Sequence, residues 1–219
     1  EIIKSVSFDL HPGRVFALVG ESGSGKSVTS LAAMRLLPDA LTITSGSVRV
    51  GGQDLFDLPE AEMQSVRGER VAMIFQNAMT ALNPVQKVGE QVAETLQLHT
   101  PVRGEGVQRR VMQIFAEVGV QDPQERYHFF PHQLSGGQQQ RVMIAMALAC
   151  EPDVLIADEP TTALDVTIQE QVLALIKGLT RTRQLAVLLI THDMAVVSSI
   201  ADEVAVMYAG EIIERSPVE

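Results

Sequence analysis

The sequence predicts an α/β fold in which a mostly parallel sheet is flanked by helices, with an antiparallel β edge and an inserted α-helical subdomain. Helix-period patterns lie between several of the predicted strands, and strands joined by helical crossovers pair in parallel. A separate stretch, 77–133, has helical periodicity and contains no convincing strand. The strands themselves are short apolar runs typical of buried β-structure, at 15–19, 71–75, 154–157, 185–191 and 204–208.

Two segments near the start of the chain indicate the antiparallel edge. Residues 2–10 and 47–50 have the mixed apolar and polar character of half-exposed strands, and each is followed by a turn signal, Pro-Gly after the first and Gly-Gly after the second. We therefore expect these two segments to pair in an antiparallel edge sheet.

The helical insertion is indicated by segments 88–99 and 107–118, which carry apolar residues at helical spacing and are followed by Pro101 and Pro123 as breakers. We expect a single domain in which the core comprises 1–76 and 151–219 and the helical subdomain covers approximately 77–150. The first residue is not Met and no natural terminator closes the chain, so we expect a fragment of a longer protein.

Composition limits the possible functions. The chain has 219 residues, 46% of them apolar, which is enough for a sizeable core, and its single cysteine, Cys150, excludes an internal disulfide. A net charge of −10 without any Lys/Arg-rich run argues against a surface that holds nucleic-acid backbone. The longest apolar runs are far shorter than the roughly 18 to 20 residues of a membrane-spanning helix.

A phosphate-binding loop follows the first buried strand, with the pattern G-x-x-x-x-G-K-S. Its glycines let successive N–H groups point inward, and a helix beginning near Lys26 adds its positive end. Lys26 would reach the β- and γ-phosphates, and the Ser27 hydroxyl would ligate Mg²⁺. A flexible Gly/Ser loop is the alternative. The predicted nucleotide-binding residues are Gly20, Glu21, Ser22, Gly23, Ser24, Gly25, Lys26, Ser27 and Val28.

Two adjacent carboxylates end the strand at 154–157. An acid at a strand end holds Mg²⁺ in this class of site, and Asp158 has that position. Glu159 would point away from Asp158 in extended chain, where it could polarise a water for in-line attack on the γ-phosphate. The alternative is that both acids only cap the turn at Pro160.

A third segment, Leu-Ser-Gly-Gly-Gln, precedes an apolar helix expected at 139–150. Its hydroxyl and unobstructed backbone N–H groups could form a second γ-phosphate clamp, although such a sequence is also common at helix starts and turns. The residues concerned are Ser135, Gly136, Gly137 and Gln138.

Two further motifs are Ala-Leu-Asp at 163–165 and Thr-His-Asp at 191–193. With the phosphate-binding loop, the Leu-Ser-Gly-Gly-Gln segment and the acidic strand end, they resemble the nucleotide-binding domain of ATP-binding cassette (ABC) transporters over essentially the whole chain. The resemblance implies that Gln76 senses Mg²⁺ and the attacking water, that Asp165 communicates across a dimer, and that His192 contacts the γ-phosphate. It thus implies ATP and Mg²⁺ as ligands, with Lys26, Gln76, Glu159 and His192 as the catalytic set and Ser27, Gln76 and Asp158 as the metal set.

The same resemblance implies partners. Two cassettes of the family pair head to tail, so that residues 135–138 of one chain close on the γ-phosphate held by Lys26 of the other. Several segments look like the ATPase subunits of bacterial importers for dipeptides, oligopeptides, glutathione and, in some members, nickel: 25–29, 73–84, 141–148, 158–167 and 207–210. Permease subunits and, indirectly, a periplasmic solute-binding protein would then be partners at the cytoplasmic face of the inner membrane, with no nucleic acid involved.

Two other functions remain open at this point. The first is a soluble non-transport ABC ATPase of DNA repair or translation, against which the acidic composition argues. The second is a nucleotide-gated switch with negligible turnover, against which the presence of both Glu159 and His192 argues.

Overall fold

The computed structural model describes residues 2–76, 81–162 and 164–218. It contains a six-stranded sheet in the order β4-β5-β6-β1-β7-β8 and a two-stranded sheet of β2 and β3. The strands are β1 Val15–Val19, β2 Arg49–Val50, β3 Gln53–Asp54, β4 Val71–Ile74, β5 Val154–Asp158, β6 Ala186–Thr191, β7 Glu203–Tyr208 and β8 Glu211–Pro217. The helices are α1 Lys26–Ala33, α2 Glu60–Glu69, α3 Val88–His99, α4 Glu105–Glu117, α5 Pro123–Arg126, α6 Gly136–Leu148, α7 Val166–Arg183 and α8 Met194–Ile200.

The large sheet is parallel from β4 to β7, which confirms the predicted fold class. Asp158 at the end of β5 is opposite Ile190 of β6, and Val19 at the end of β1 is opposite Thr191 at the end of β6. The segments that follow these three strands therefore start from the same edge of the sheet, the usual location of a ligand site in an open parallel sheet.

The antiparallel edge is not where the sequence placed it. Residues 49–50 pair with 53–54 in a short hairpin, and residues 2–10 form only an isolated bridge between Ser5 and Glu211. The antiparallel edge of the large sheet is β8, which pairs with β7. The alternating pattern in residues 2–10 has a different cause: Phe8 stacks on Phe16 of β1, with the ring centroids 4.9 Å apart. These residues pack on a face of the sheet.

The helical predictions agree closely with the structure. Helix α3 has the predicted bounds, and α4 begins two residues earlier than predicted and ends one residue earlier. Helix α6 begins at Gly136, not 139, because Ser135 caps it and brings the two glycines into the first turn. Every element described between 81 and 150 is helical.

The apolar core lies on both faces of the large sheet. One cluster extends from the helical segment, through residues such as Val111 and Ile144, to Leu155 and Val187 on the strands. A second cluster covers the other face around Phe16, together with α2. Because the first cluster is continuous, the division into a core and a subdomain at 77–150 stays a prediction. No helix among the described residues is long and apolar enough to cross a membrane.

Candidate functional site

A buried ammonium group occupies the loop between β1 and α1. Lys26 is the first residue of α1 and is only 6% exposed. Its Nζ donates to the carbonyl oxygens of Gly20 and Glu21, at 2.8 and 2.9 Å. An ammonium group has three N–H donors, so one remains for a further acceptor. The loop therefore places a positive charge next to the N-terminus of a helix, where anions are favoured.

The same loop holds a polar atom that suggests a missing ligand. Ser24 is buried, and its Oγ has no hydrogen-bond partner within the described ranges. Buried hydroxyl groups are normally paired, so an orphaned one needs a partner that the chain does not supply. A phosphate oxygen would be a suitable acceptor, and the loop fits the nucleotide tail that the sequence predicted.

The turn between β7 and β8 supports this loop from behind. The Gly210 N–H donates to the carbonyl oxygen of Ser24 at 3.0 Å, and the Gly210 carbonyl accepts from the Lys4 N–H at 2.9 Å. Residues 207–210 contribute to the family resemblance, but the sequence does not predict this support. No local signal marks it, because Ser24 and Gly210 are far apart in the chain.

Ser27 and Asp158 bring two oxygen groups together beside the loop. The Ser27 hydroxyl donates to Asp158 Oδ1 at 3.2 Å. Burial raises the pKa of the Asp158 carboxyl, and so does the nearby Glu159, whereas the Ser27 hydrogen bond and Lys26 lower it. The buried carboxylate thus lacks strong compensation, and a cation would supply it. A hydroxyl and a carboxylate are the oxygen donors that Mg²⁺ prefers, with water and phosphates completing its shell.

The backbone at Glu159 is not extended as the sequence analysis assumed. Its φ is +46°, in the left-handed region, while its N–H still donates to the Ile190 carbonyl at 2.9 Å as a continuation of the sheet. The chain therefore turns sharply at this residue, and Pro160 follows. The direction of the side chain is set by this turn and not by strand alternation.

Three side chains from three parts of the chain hold the Glu159 carboxylate. His192 Nδ1 is 2.9 Å from Oε1, and Oε2 accepts from Gln76 Nε2 and from the Thr162 hydroxyl, each at 2.9 Å. Burial raises the pKa of Glu159, but the hydrogen bonds from His192, Thr162 and Gln76 outweigh it and leave the pKa below its usual value. The group is therefore ionised at neutral pH and can accept a proton.

The Ser135 segment lies at the start of α6. Ser135 Oγ accepts from the Gln138 N–H, and Gln138 Oε1 accepts from the Ser135 N–H, both at 3.4 Å. Asp165 caps α7 in a similar way, through an Oδ1 that accepts from the Ile168 N–H at 2.9 Å. Within the described ranges no hydrogen bond joins 135–138 to the 20–27 loop or to Glu159.

The structure thus groups the predicted residues into two sets. The first set contains Lys26 and the Ser27–Asp158 pair. Glu159, the residue after Asp158, continues this set through its hydrogen bonds to Gln76 and His192. The remaining predicted residues of the loop, Glu21, Ser22 and Gly23, are exposed, and Val28 is half-buried on α1. Residues 135–138 and 165 form the second set, at two helix starts.

Comparison with known families decides the class. A family profile described as "ABC transporter" matches residues 3–162. The chain belongs to the ABC transporter family. The match includes the Lys26 loop, the Ser135 segment and the Asp158-Glu159 pair, so the family resemblance drawn from the motifs is confirmed.

Curated relatives in this family are named for peptide transport. The chain is 51% identical, over 98% of its length, to the dipeptide transport ATP-binding protein DppD of Bacillus subtilis, and 50% identical, over 100% of its length, to the oligopeptide transport ATP-binding protein OppD of the same organism. The glutathione import ATP-binding protein GsiA of Escherichia coli O157:H7 is 51% identical over 99% of the chain. The chain spans 64%, 62% and 36% of these proteins, respectively.

Solved ABC cassettes have the same fold. A dimeric structure of the ATP-binding cassette MJ0796, in a post-hydrolysis state bound to ADP and Pi, superposes with a TM-score of 0.86 at 28% identity. The alignment covers 100% of this chain and 91% of that one. A second dimeric structure of MJ0796, described as a bacterial ABC transporter cassette, gives a TM-score of 0.85.

Proposed function

We propose that this chain binds and hydrolyses ATP and thereby powers an ABC importer of peptides, of the dipeptide, oligopeptide or glutathione type. The observation that carries the proposal is the continuous arrangement at one sheet edge, from the Lys26 ammonium through the Ser27–Asp158 pair to the ionised Glu159. The names of the three peptide and glutathione transport relatives support the transport role and the class of solute.

Nucleotide binding would use the loop at 20–28. Lys26 Nζ has one free donor, and it can exchange its two carbonyl acceptors for phosphate oxygens. The orphaned Ser24 hydroxyl gains a partner in the same event. The ammonium then faces an anionic acceptor in place of neutral carbonyls, and the Ser24 hydroxyl gains a hydrogen bond to a charged oxygen, which favours the bound state.

Ser27, Asp158 and Gln76 would hold Mg²⁺. The ion would supply positive charge that offsets the charge of the phosphates. Ser27 and Asp158 are already within hydrogen-bond distance, so little reorganisation is needed to present two oxygens to one cation. Gln76 now donates to Glu159 and would have to turn its amide oxygen toward the ion.

Glu159 would act as the general base for hydrolysis. Its lowered pKa keeps it ionised, and the left-handed turn directs it toward His192 and Gln76. Among the described residues Oε2 accepts from two donors and Oε1 from His192 alone, so Oε1 keeps a lone pair that can accept a hydrogen bond from a water. The His192 side chain is 65% exposed, and it could move to the γ-phosphate.

The second half of the site would come from another cassette. Within the described ranges residues 135–138 make no hydrogen bond to the Lys26 loop, yet they present a capped helix start with two glycines. The dimeric MJ0796 structures support the pairing of two cassettes, and we propose that this segment closes on the partner's nucleotide. We further propose permease subunits and a periplasmic solute-binding protein as partners, with the chain peripheral to the cytoplasmic face of the bacterial inner membrane.

Two variants test the hydrolytic role. Lys26→Ala should abolish nucleotide-induced thermal stabilisation and phosphate release, whereas Lys87→Ala, at a half-buried lysine that pairs with Glu90, should leave both unchanged. Glu159→Gln should still bind ATP, accumulate as a dimer in size-exclusion chromatography and hydrolyse ATP only at a small residual rate. Normal turnover by either Lys26→Ala or Glu159→Gln would disprove the proposed function.

The solute class needs a separate experiment. The protein is purified with its permease partners in proteoliposomes, and its ATPase rate is measured with solute-binding protein and di- or oligopeptides, glutathione or nickel in turn. Stimulation by peptides or glutathione supports the proposal. Stimulation by nickel alone would overturn the solute class and leave the ATPase role intact.

A further inference from the structure

The turn that follows Glu159 is held by two hydrogen bonds between Thr162 and Glu159. The Thr162 N–H donates to the Glu159 carbonyl at 3.2 Å, which fixes a tight turn from 159 to 162 after the left-handed residue. The same threonine returns its hydroxyl to the Glu159 side chain at 2.9 Å. Thr162 thus binds both the backbone and the carboxylate of one residue.

The three donors to Glu159 differ in how they are attached. Gln76 follows β4 and His192 follows β6, so both belong to other strands and reach Glu159 across the sheet edge. Thr162 belongs to the turn of Glu159 itself. During turnover Gln76 is needed at the metal and His192 at the phosphate, so both must exchange partners. The Thr162 hydroxyl has no such second task and can remain in place.

Orientation matters because the Glu159 side chain has three rotatable bonds. The side chain is only 16% exposed in the structure, with Oε1 facing His192 and Oε2 shared by Gln76 and Thr162. Once the two distant donors leave, the free rotamers would spread the carboxylate over several positions. A fixed donor on Oε2 leaves Oε1 as the oxygen presented to a water.

We propose that Thr162 is a positioning residue for ATP hydrolysis, whose hydroxyl holds Oε2 of Glu159 so that Oε1 faces the attacking water. The inference rests on the proposed function, because it assigns Glu159 the role of base. Thr162 itself does not need to contact nucleotide or metal.

The test compares three substitutions in the otherwise intact protein. Thr162→Val has the same shape without the hydroxyl, and Thr162→Ser keeps the hydroxyl. Thr182→Val is the matched control, since the Thr182 hydroxyl donates only to backbone carbonyls at the end of α7. Thr162 is exposed, so valine there leaves no buried polar group unpaired. Should the valine protein show a lowered melting temperature, Thr162→Ala takes its place.

The expected result is a selective loss of turnover. Thr162→Val should lower kcat by about threefold to tenfold, the range for loss of one hydrogen bond, with KM for ATP within about twofold of the unmodified protein. Thr162→Ser and Thr182→Val should both retain the full kcat. An unchanged kcat in Thr162→Val, or an equal loss in Thr162→Ser, would overturn the inference.

A double-mutant cycle separates positioning from other roles. Single-turnover hydrolysis is measured for Glu159→Gln with and without Thr162→Val. If Thr162 acts through the carboxylate, the second substitution should cause no further loss in the glutamine background. An equally large loss there would show that Thr162 acts elsewhere. Normal turnover by Lys26→Ala would instead mark failure of the proposed function, whatever the result at Thr162.

Discussion

A Cβ atom on Gly137 would lie 2.6 Å from Cγ2 of Ile168. The contact joins the first turn of α6, which follows Ser135, to the first turn of α7, which Asp165 caps. Two segments that the sequence singled out for separate roles are therefore in contact within one chain. The glycine is needed for this close approach as well as for access to backbone N–H groups.

We expect Gly137→Ala to lower the free energy of unfolding by about 1–3 kcal/mol, because a β-branched side chain cannot yield easily. Urea unfolding monitored by circular dichroism measures the change. Gly178→Ala is the control: Gly178 lies inside α7 with no atom within 4 Å of an added Cβ. That substitution should raise stability by about 0.5–1 kcal/mol. Equal effects at the two glycines would contradict the close contact.

Removing the obstructing side chain should partly restore the Gly137→Ala protein. Ile168→Ala deletes Cγ2, and we expect the double variant to be more stable than the sum of the two single changes predicts, by about 0.5–3 kcal/mol. The four proteins of the cycle are compared by the same urea titration. Strict additivity would show that the 2.6 Å contact is relieved by movement of the helices.

Asp158→Asn should weaken the response to Mg²⁺. The amide lacks the charge that compensates a cation, so the Mg²⁺ concentration for half-maximal ATPase activity should rise by about tenfold to a hundredfold. ATPase assays over a Mg²⁺ series measure the shift, and EDTA should abolish activity in the unmodified protein. Asp39→Asn, at an exposed position, is the control. An unshifted Mg²⁺ curve for Asp158→Asn would remove Asp158 from the metal site.

Cys150 should react slowly in the folded protein. Burial, with a smaller effect of Glu69, raises the pKa of its thiol to about 11. At pH 8 the thiolate fraction should then be on the order of a hundredfold lower than in an unfolded chain. Because folding raises this pKa, alkylation by iodoacetamide should keep accelerating tenfold per pH unit above pH 9. Mass spectrometry of the single cysteine provides the rate, and a plateau near pH 9 would contradict the shift.

Arg183 should contribute more to stability than its neighbour Arg181 on α7. Its guanidinium makes a bidentate pair with Glu117 of α4 and donates to the Leu148 carbonyl at 3.1 Å, with a side chain only 18% exposed. Arg183→Met should cost about 1.5–3 kcal/mol. Arg181→Met removes a 3.7 Å pair with Asp202 from a side chain that is 64% exposed, and should cost less than about 1 kcal/mol. Thermal unfolding of both variants provides the comparison.

Most of the sheet and helices could be predicted because their signals are local. Helix α3 has the bounds that its periodicity predicts, and the five parallel strands coincide with the apolar runs. Strand β8 was missed because its burial alternates weakly and its pairing with β7 depends on a turn. The sequence predicts a strand at residues 2–10 because apolar and polar residues are mixed there in the same way in a paired strand and in a segment that packs on the face of a sheet.

The sequence alone determined the family and the residue types of the site. The phosphate-binding loop, the acidic strand end and the capped glycine pair each consist of consecutive residues, so each can be identified without knowledge of the fold. Only the tertiary structure decided how those pieces meet. The left-handed turn at Glu159, its hydrogen bonds to Gln76 and His192, and the support of Ser24 by Gly210 all join residues distant in the chain or depend on a backbone angle. Such contacts follow from the packing of strands and have no counterpart in local pattern.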